Sequence, residues 1–349
     1  MAKADPDPNE PAVQSMKKWH APGAEPWPER VYGAAMRALE PPFVALQKWF
    51  GIKGMAYVFV LPNMIFFSVF VALPMVLNVW YSLTGSDRLL IQDRPFVGLD
   101  NFRALLDCEN YLTVNSCQQD RFWRAVHNST LFVVLQVGAM VLLSVVAALL
   151  LNSKIWGRGF FRAVFFFPVL LSPVVVALIW KWTLQPDGLL NAVILWLGGE
   201  RVAFLHDASW AFFWTVFVSV WSHMGFYTLI LLAGLQSIPA ELYESAQMDG
   251  TSRQRIFWRI TLPLLMPTLL VVLILSLIRG VQAFEEVFIL TGGGPGTATQ
   301  FIVQYIYETA FANQVHLLGL AAGASMLVAV VLMVLTLLQL RISYHGKNL

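Results

Sequence analysis

The residues that could do chemistry in this sequence fall into four groups. In one long apolar run, Ser219, Ser222, His223, Phe226 and Tyr227 recur at i, i+3, i+4, i+7 and i+8, one face of a helix. Hydroxyls, an imidazole and two rings on one face can hydrogen-bond to and stack on a polyhydroxylated solute; the competing reading is that Ser and His bridge helices. A second run ends in Arg279, Gln282, Glu285 and Glu286, with Arg279, Gln282 and Glu286 at i, i+3 and i+7. A guanidinium there can grip an anionic group bidentately or pair internally with Glu285 or Glu286. The third group is the charged stretch 239–267, PAELYESAQMDGTSRQRIFWRITLPLLMP, which contains Glu244, Ser245, Ala246, Asp249 and Gly250. It reads as two short helices joined at Asp249-Gly250, with Pro239 as a first helical residue and Ile256, Phe257 and Ile260 as an apolar stripe. The fourth is Cys108 and Cys117, nine residues apart in one polar loop, where an oxidising compartment would allow a loop-stapling disulfide.

No constellation for catalysis is present. Neither His223 nor His316 belongs to a metalloprotease-type motif, and no lysine follows P-loop glycines, so neither a metal nor ATP is expected to bind this chain in those ways. No nucleic-acid partner is expected.

The elements that must position these groups are membrane spans. The 349 residues are 57% hydrophobic and 13% charged, where soluble domains carry about 25% charged residues. Six windows approach the ~20 apolar residues a span needs: 56–83, 128–153, 163–180, 208–240, 260–278 and 310–340. The shortest, 163–180, ends at Lys181, which can snorkel. The predicted fold is therefore all-α and polytopic. Residues 1–26 read as a disordered tail, 27–54 as interfacial helix, 55–341 as the six-span domain and 342–349 as a second tail. With the N-terminus inside, inner segments hold 15 of the 23 Lys+Arg and outer loops six, so the positive-inside rule puts both termini and the 239–263 loop in the cytoplasm. Outside, LTGGGPGTATQ at 290–300 cannot continue a helix, and residues 292–299 are a candidate mouth of a solute path.

Glu244, Ser245, Ala246, Gly250, Ile260, Leu262 and Pro263 resemble the Glu-Ala-Ala…Gly…Ile-x-Leu-Pro signature of the integral-membrane subunits of bacterial ABC importers, with Ser245 in place of the first alanine. FVGLDNF, LYESAQMDG, ITLPLLMP and LTGGGP extend the likeness to the sugar-permease branch, the maltose and glycerol-phosphate type, over roughly 55–340. The resemblance implies a type I importer permease in a bacterial inner membrane, moving a carbohydrate or polyol. Its implied partners are a second homologous permease, two ATPase subunits that bind ATP and Mg, and an extracytoplasmic solute-binding protein. It implies that Glu244, Ser245, Ala246, Asp249 and Gly250 form a coupling helix that seats in an ATPase. It also implies that the 219–227 face and the 279–286 stretch contact solute, with Arg279 a departure from the family's neutral amides and aromatics that suits an anionic solute. The alternative is a self-sufficient secondary transporter, which would show inverted repeats and membrane carboxylates; here Glu285 and Glu286 sit only at a span's outer end.

Overall fold

Backbone N–H and C=O groups in lipid must be satisfied within the chain, which leaves apolar runs of this length little choice but helix. The computed structural model describes residues 47–49, 51, 54, 55, 57–85, 91–111, 113, 115–153, 156–312 and 316–346. The expected 1–26 tail, most of the 27–54 interfacial segment and residues 347–349 lie outside that set. Among the described residues there are helices and two isolated bridges, Thr84 with Phe96 and Cys108 with Cys117, but no strand. The chain divides into two compact units, Met1–Met75 and Val76–Leu349, at a point inside the first span.

In order, the helices are α1 Tyr57–Ser82, α2 Asp100–Leu106, α3 Asp120–Asn152, α4 Arg158–Leu170, α5 Pro173–Thr183 and α6 Leu189–Trp196. They are followed by α7 Ala208–Gln236, α8 Ala240–Met248, α9 Arg253–Val281, α10 Glu285–Leu290, α11 Ile302–Tyr307 and α12 Leu318–Gly346. Of these, α1, α3, α7, α9 and α12 are long and apolar enough to span a membrane singly, and α4 with α5, taken together as one span bent at residues 171–172, makes the sixth.

Four boundaries differ from the sequence expectation: the span expected at 310–340 runs instead from Leu318 to Gly346, taking in the start of the expected 342–349 tail, and the other three lie earlier in the chain. The span expected at 128–153 begins at Asp120, because the polar first turns carry Arg121 and Arg124 on a continuous helix. The second helix of the 239–263 loop is not separate: it runs from Arg253 through a π-helical turn, Phe257–Thr261, into the fifth span. The window 163–180 is not one straight helix but α4 and α5, bent by 99°. The cause is local. Pro173 has no N–H to donate and its ring clashes with a preceding helical turn, and it drives Ser172 to an extended backbone (φ −61, ψ 140). The last turn of α4, Phe167–Leu170, is already tightened to 3₁₀ at Pro168.

In lipid an apolar residue gains little by leaving acyl chains, so close packing and interhelical hydrogen bonds hold the helices together. Met140, Ala148 and Leu151 of α3 pack against Val220, Tyr227, Leu231, Leu232 and Leu235 of α7, with Leu265 and Val272 of α9 completing the cluster. The buried Ser144 donates to Met224 O at 3.3 Å across the same interface. Asp207 caps α7, its Oδ1 accepting from Ser209 N and Trp210 N at 3.0 Å each. Trp180, Trp214 and Trp221 form an aromatic cluster between α5 and α7, with ring centroids 5.5–5.6 Å from Trp180. Lys181, instead of only reaching for the interface, donates its Nζ to Ile289 O at 2.9 Å near the end of α10. In the segment between α2 and α3, a disulfide joins Cys108 and Cys117, and Asn101 Nδ2 donates to Ser82 O and Thr84 O at 2.9 Å, tying α2 to the end of α1.

The bend is covered by α7. A Cβ on Gly225 would lie 2.1 Å from Phe165 O and 2.9 Å from Phe165 C, so only glycine lets the two backbones approach this closely. Gly225→Val is expected to destabilise the protein by about 3 kcal/mol or more through overpacking. Gly138→Val, where a Cβ would meet nothing within 4 Å, serves as the tolerated control, with thermal unfolding in detergent as the measurement.

Candidate functional site

The bend between α4 and α5 opens a cavity of about 330 Å³ against α7. Pro168, Val169, Leu171, Pro173 and Val176 form one wall; Ser222, His223, Phe226 and Tyr227 of α7 form the other, and Arg279 reaches in from α9. Four of the five positions singled out on the fourth span therefore line one cavity. The fifth, Ser219, is 2% exposed and acts from behind: its carbonyl lies 2.9 Å from His223 Nδ1, and Ser222 Oγ lies 2.8 Å from the same nitrogen. A carbonyl only accepts, so in the neutral ring Nδ1 carries the proton and Nε2 is left as an acceptor for a hydroxyl. The cavity thus offers a ring face, hydroxyls, an imidazole acceptor and a guanidinium.

The periodicity expected for Arg279, Gln282 and Glu286 does not survive. Helix α9 stops at Val281, residues 282–284 are non-helical, and α10 restarts at Glu285. Gln282 is exposed and does not line the cavity, and Glu285 is likewise exposed. The break instead turns Glu286 inward, 2% exposed, with Oε2 3.9 Å from Arg279 Nη2. That distance is an ion pair without a hydrogen bond. Among the described residues, neither Glu286 oxygen, nor Arg279 Nε, nor either amide atom of Gln136 has a hydrogen-bond partner. Gln136, fully buried on α3, sits against Gly280, its Oε1 2.7 Å from where a Cβ there would be. Sequence reasoning overlooked Gln136 and the Pro168–Pro173 wall. A lone glutamine inside an uncharged run and two prolines five residues apart were the signals available.

The glycine-rich run between α10 and α11 folds into a pinned turn. Thr299 Oγ1 lies 2.7 Å from Thr291 Oγ1 and donates to Gly294 O at 2.8 Å, while Asn128 Nδ2 donates to Thr297 O at 2.7 Å. Glu308 gathers the segment behind it, accepting from Arg121 Nη2 at 2.7 Å, Gln304 Nε2 at 2.8 Å and Gln300 Nε2 at 2.5 Å. A second cavity of about 380 Å³ lies between this turn and Arg124, His127 and Asn128.

In the 239–250 loop, Pro239 is the N-cap and not the first helical residue (φ −57, ψ 131). Helix α8 ends in a Schellman arrangement: Thr251 N donates to Ala246 O and Gly250 N to Gln247 O, both at 3.0 Å, with Gly250 at φ +68. Ser252 then caps α9 by accepting from Arg255 N at 3.4 Å. Tyr243 Oη lies 3.2 Å from Thr261 Oγ1, tying the loop to the foot of the fifth span. Ala246 is 7% exposed and faces the chain itself, while Glu241, Glu244, Ser245, Met248 and Asp249 are exposed. Among the described residues, no group of three or more His, Cys, Asp and Glu could hold a metal ion.

A family model described as "Binding-protein-dependent transport system inner membrane component" matches residues 140–344. The trehalose/maltose transport system permease protein MalF of Thermococcus litoralis is 35% identical over 297 residues, covering 84% of this chain and 95% of MalF. Among solved structures, a chain of a bacterial ABC transporter that imports the acidic polysaccharide alginate superposes with TM-score 0.72 at 27% identity, covering 86% of this chain and 99% of that one. The alginate transporter in complex with its pentasaccharide-bound periplasmic protein gives TM-score 0.69 at 27% identity, over 84% and 95% of the two chains. The folded spans, the broken third span and the loop at 239–250 thus belong to a non-enzymatic transport subunit, and the chain is a member of the binding-protein-dependent ABC importer permeases, within their sugar-permease branch.

Proposed function

We propose that this chain forms part of the path by which an ABC importer moves an acidic carbohydrate across the inner membrane, with both termini and the 239–250 loop in the cytoplasm. An extracytoplasmic binding protein delivers the solute, a second homologous permease completes the path, and two ATPase subunits supply ATP and Mg. The observation that carries the reading is Arg279 beside Ser222, His223, Phe226 and Tyr227 in one cavity, with a charged group not locked by a hydrogen bond to Glu286. Small-molecule pockets run from about 300 to 1,000 Å³, so this one suits a sugar unit or two of a chain at a time. The rings stack on a pyranose face, His223 Nε2 accepts from a hydroxyl, and the guanidinium forks onto a carboxylate. The similarity to the alginate importer's chain supports an acidic substrate.

The exposed face of α8 is the part proposed to engage the ATPase, Glu244 through a charge-assisted hydrogen bond. Ala246 serves differently from a docking contact: its small side chain lets α8 lie against its own chain. Gly250 sets the turn that aims that face.

Two substitutions test the reading in reconstituted transporter. Arg279→Met is expected to raise KM for a uronate oligomer at least about tenfold, the scale of one charge-assisted contact of ~1.5–3 kcal/mol, while a neutral oligosaccharide is affected far less. Equal effects on both would assign Arg279 to a structural pair with Glu286. At Gly250 a Cβ has open space, so only the positive φ is at issue. Gly250→Asn, which tolerates that conformation, is expected to keep solute-stimulated ATP hydrolysis. Gly250→Val is expected to lose about tenfold or more, in line with a left-handed penalty of ~1–2 kcal/mol. Loss in neither variant would remove this turn from coupling.

A further inference from the structure

At the last residue of α7, Gln236 turns its amide oxygen to two guanidinium groups, accepting from Arg158 Nη2 and Arg162 Nη2 at 3.0 Å each. The two arginines stand one turn apart on α4. Two cations on one neutral acceptor leave positive charge uncompensated. Among the described residues neither arginine has an acidic partner within ion-pair distance, and the Nε of each is buried without a hydrogen-bond partner. The nearby carbonyls at the C-terminus of α7 are already used: Ala233 O and Gly234 O accept from Ser237 N, and Gly234 O also accepts from Ser237 Oγ at 2.7 Å. Beside the pair, Trp156 is 97% exposed and Phe160 70% exposed, with Phe161 and Val164 also open.

Two half-exposed guanidinium groups with uncompensated charge call for a doubly accepting anion, and a rim of exposed aromatic side chains calls for hydrocarbon and headgroup next to it. We propose that Arg158 and Arg162 bind the phosphate of an anionic phospholipid, with its acyl chains along Phe160 and Phe161. Inorganic phosphate would offer the same anion, and an ATPase could offer a carboxylate, but neither uses the aromatic rim. The site rests on the proposed function only for its orientation. Gln236 lies three residues before Pro239, so the lipid would hold the end of α7 where the proposed coupling loop begins.

The test is native mass spectrometry of the full chain, purified in detergent and equilibrated with equal amounts of phosphatidylglycerol and phosphatidylcholine. The wild type is expected to retain phosphatidylglycerol over phosphatidylcholine by roughly thirtyfold, the product of two basic contacts to an anionic headgroup. Arg158→Gln with Arg162→Gln is expected to abolish the preference, and Arg158→Lys with Arg162→Lys, which preserves charge and guards against misfolding, to keep most of it. Equal retention of both lipids by the wild type overturns the proposal, as does an unchanged preference in a monodisperse glutamine variant. Millimolar inorganic phosphate that erases the preference assigns the pair to a soluble anion and overturns the lipid source. A preference that vanishes when ATPase subunits are bound assigns it to their carboxylates and overturns it equally. The measurement uses no solute, so its failure leaves the acidic-carbohydrate reading standing, and failure of that reading leaves the lipid site standing.

Discussion

Lipid cannot hydrogen-bond to a broken backbone, and the third span is broken in its middle. Every other feature of the site follows from covering that break. Pro173 and Pro168 bend the chain by 99°, and at Phe165, just before the bend, the backbone of α4 runs close against α7. Gly225 brings the backbone of α7 against it. Because α7 lies that close at Gly225, the flanking Ser222, His223, Phe226 and Tyr227 face the hollow side of the bend, and the bend becomes a cavity wall.

The two helices that supply the polar walls are also the two that the 239–250 loop connects. α7 carries His223 and Tyr227 and ends at Gln236; α9 begins at Arg253 and carries Arg279. At 1.5 Å per residue, Tyr227 is roughly 14 Å from the end of its helix. The short α8, its Schellman turn and the Tyr243–Thr261 contact tie the feet of both helices together. Under the proposed coupling role, a push on α8 reaches both sides of the cavity through rigid helix, without a separate relay.

Much of this was legible in the sequence, for identifiable reasons. The 219–227 face was visible because α7 is one unbroken helix, so i, i+3, i+4 spacing translates directly into a shared face. The same rule failed for Gln282, because it assumes a helix that α9 does not continue beyond Val281. Arg279 and Glu286 still meet, but across a three-residue break in the helix that periodicity cannot encode. The helix break at Pro173 was in principle readable, whereas its direction, and the burial of Gln136 against Gly280, depend on three helices at once. Ala246 illustrates a subtler limit. Its motif position was legible, but which way it faces is decided by the Schellman turn and the packing of α8 on its own chain.

The pairing of Arg279 with Glu286 is where these constraints bear on specificity. A fully hydrogen-bonded pair with Glu286 buried at 2% exposure would be costly to open, because the carboxylate would lose its partner in a low-dielectric setting. At 3.9 Å, with Arg279 Nε and both Glu286 oxygens unbonded, the attraction neutralises the guanidinium in the membrane without fixing its orientation. On the proposed reading, an arriving carboxylate would take the fork of the guanidinium, with Glu286 near enough to limit the affinity. Two acidic groups sharing one arginine repel each other, so under the proposed reading Glu286 would compete with an acidic solute for Arg279. Under the proposed acidic-carbohydrate reading, Glu286 would weaken binding rather than strengthen it, which would let a charged cargo leave the site.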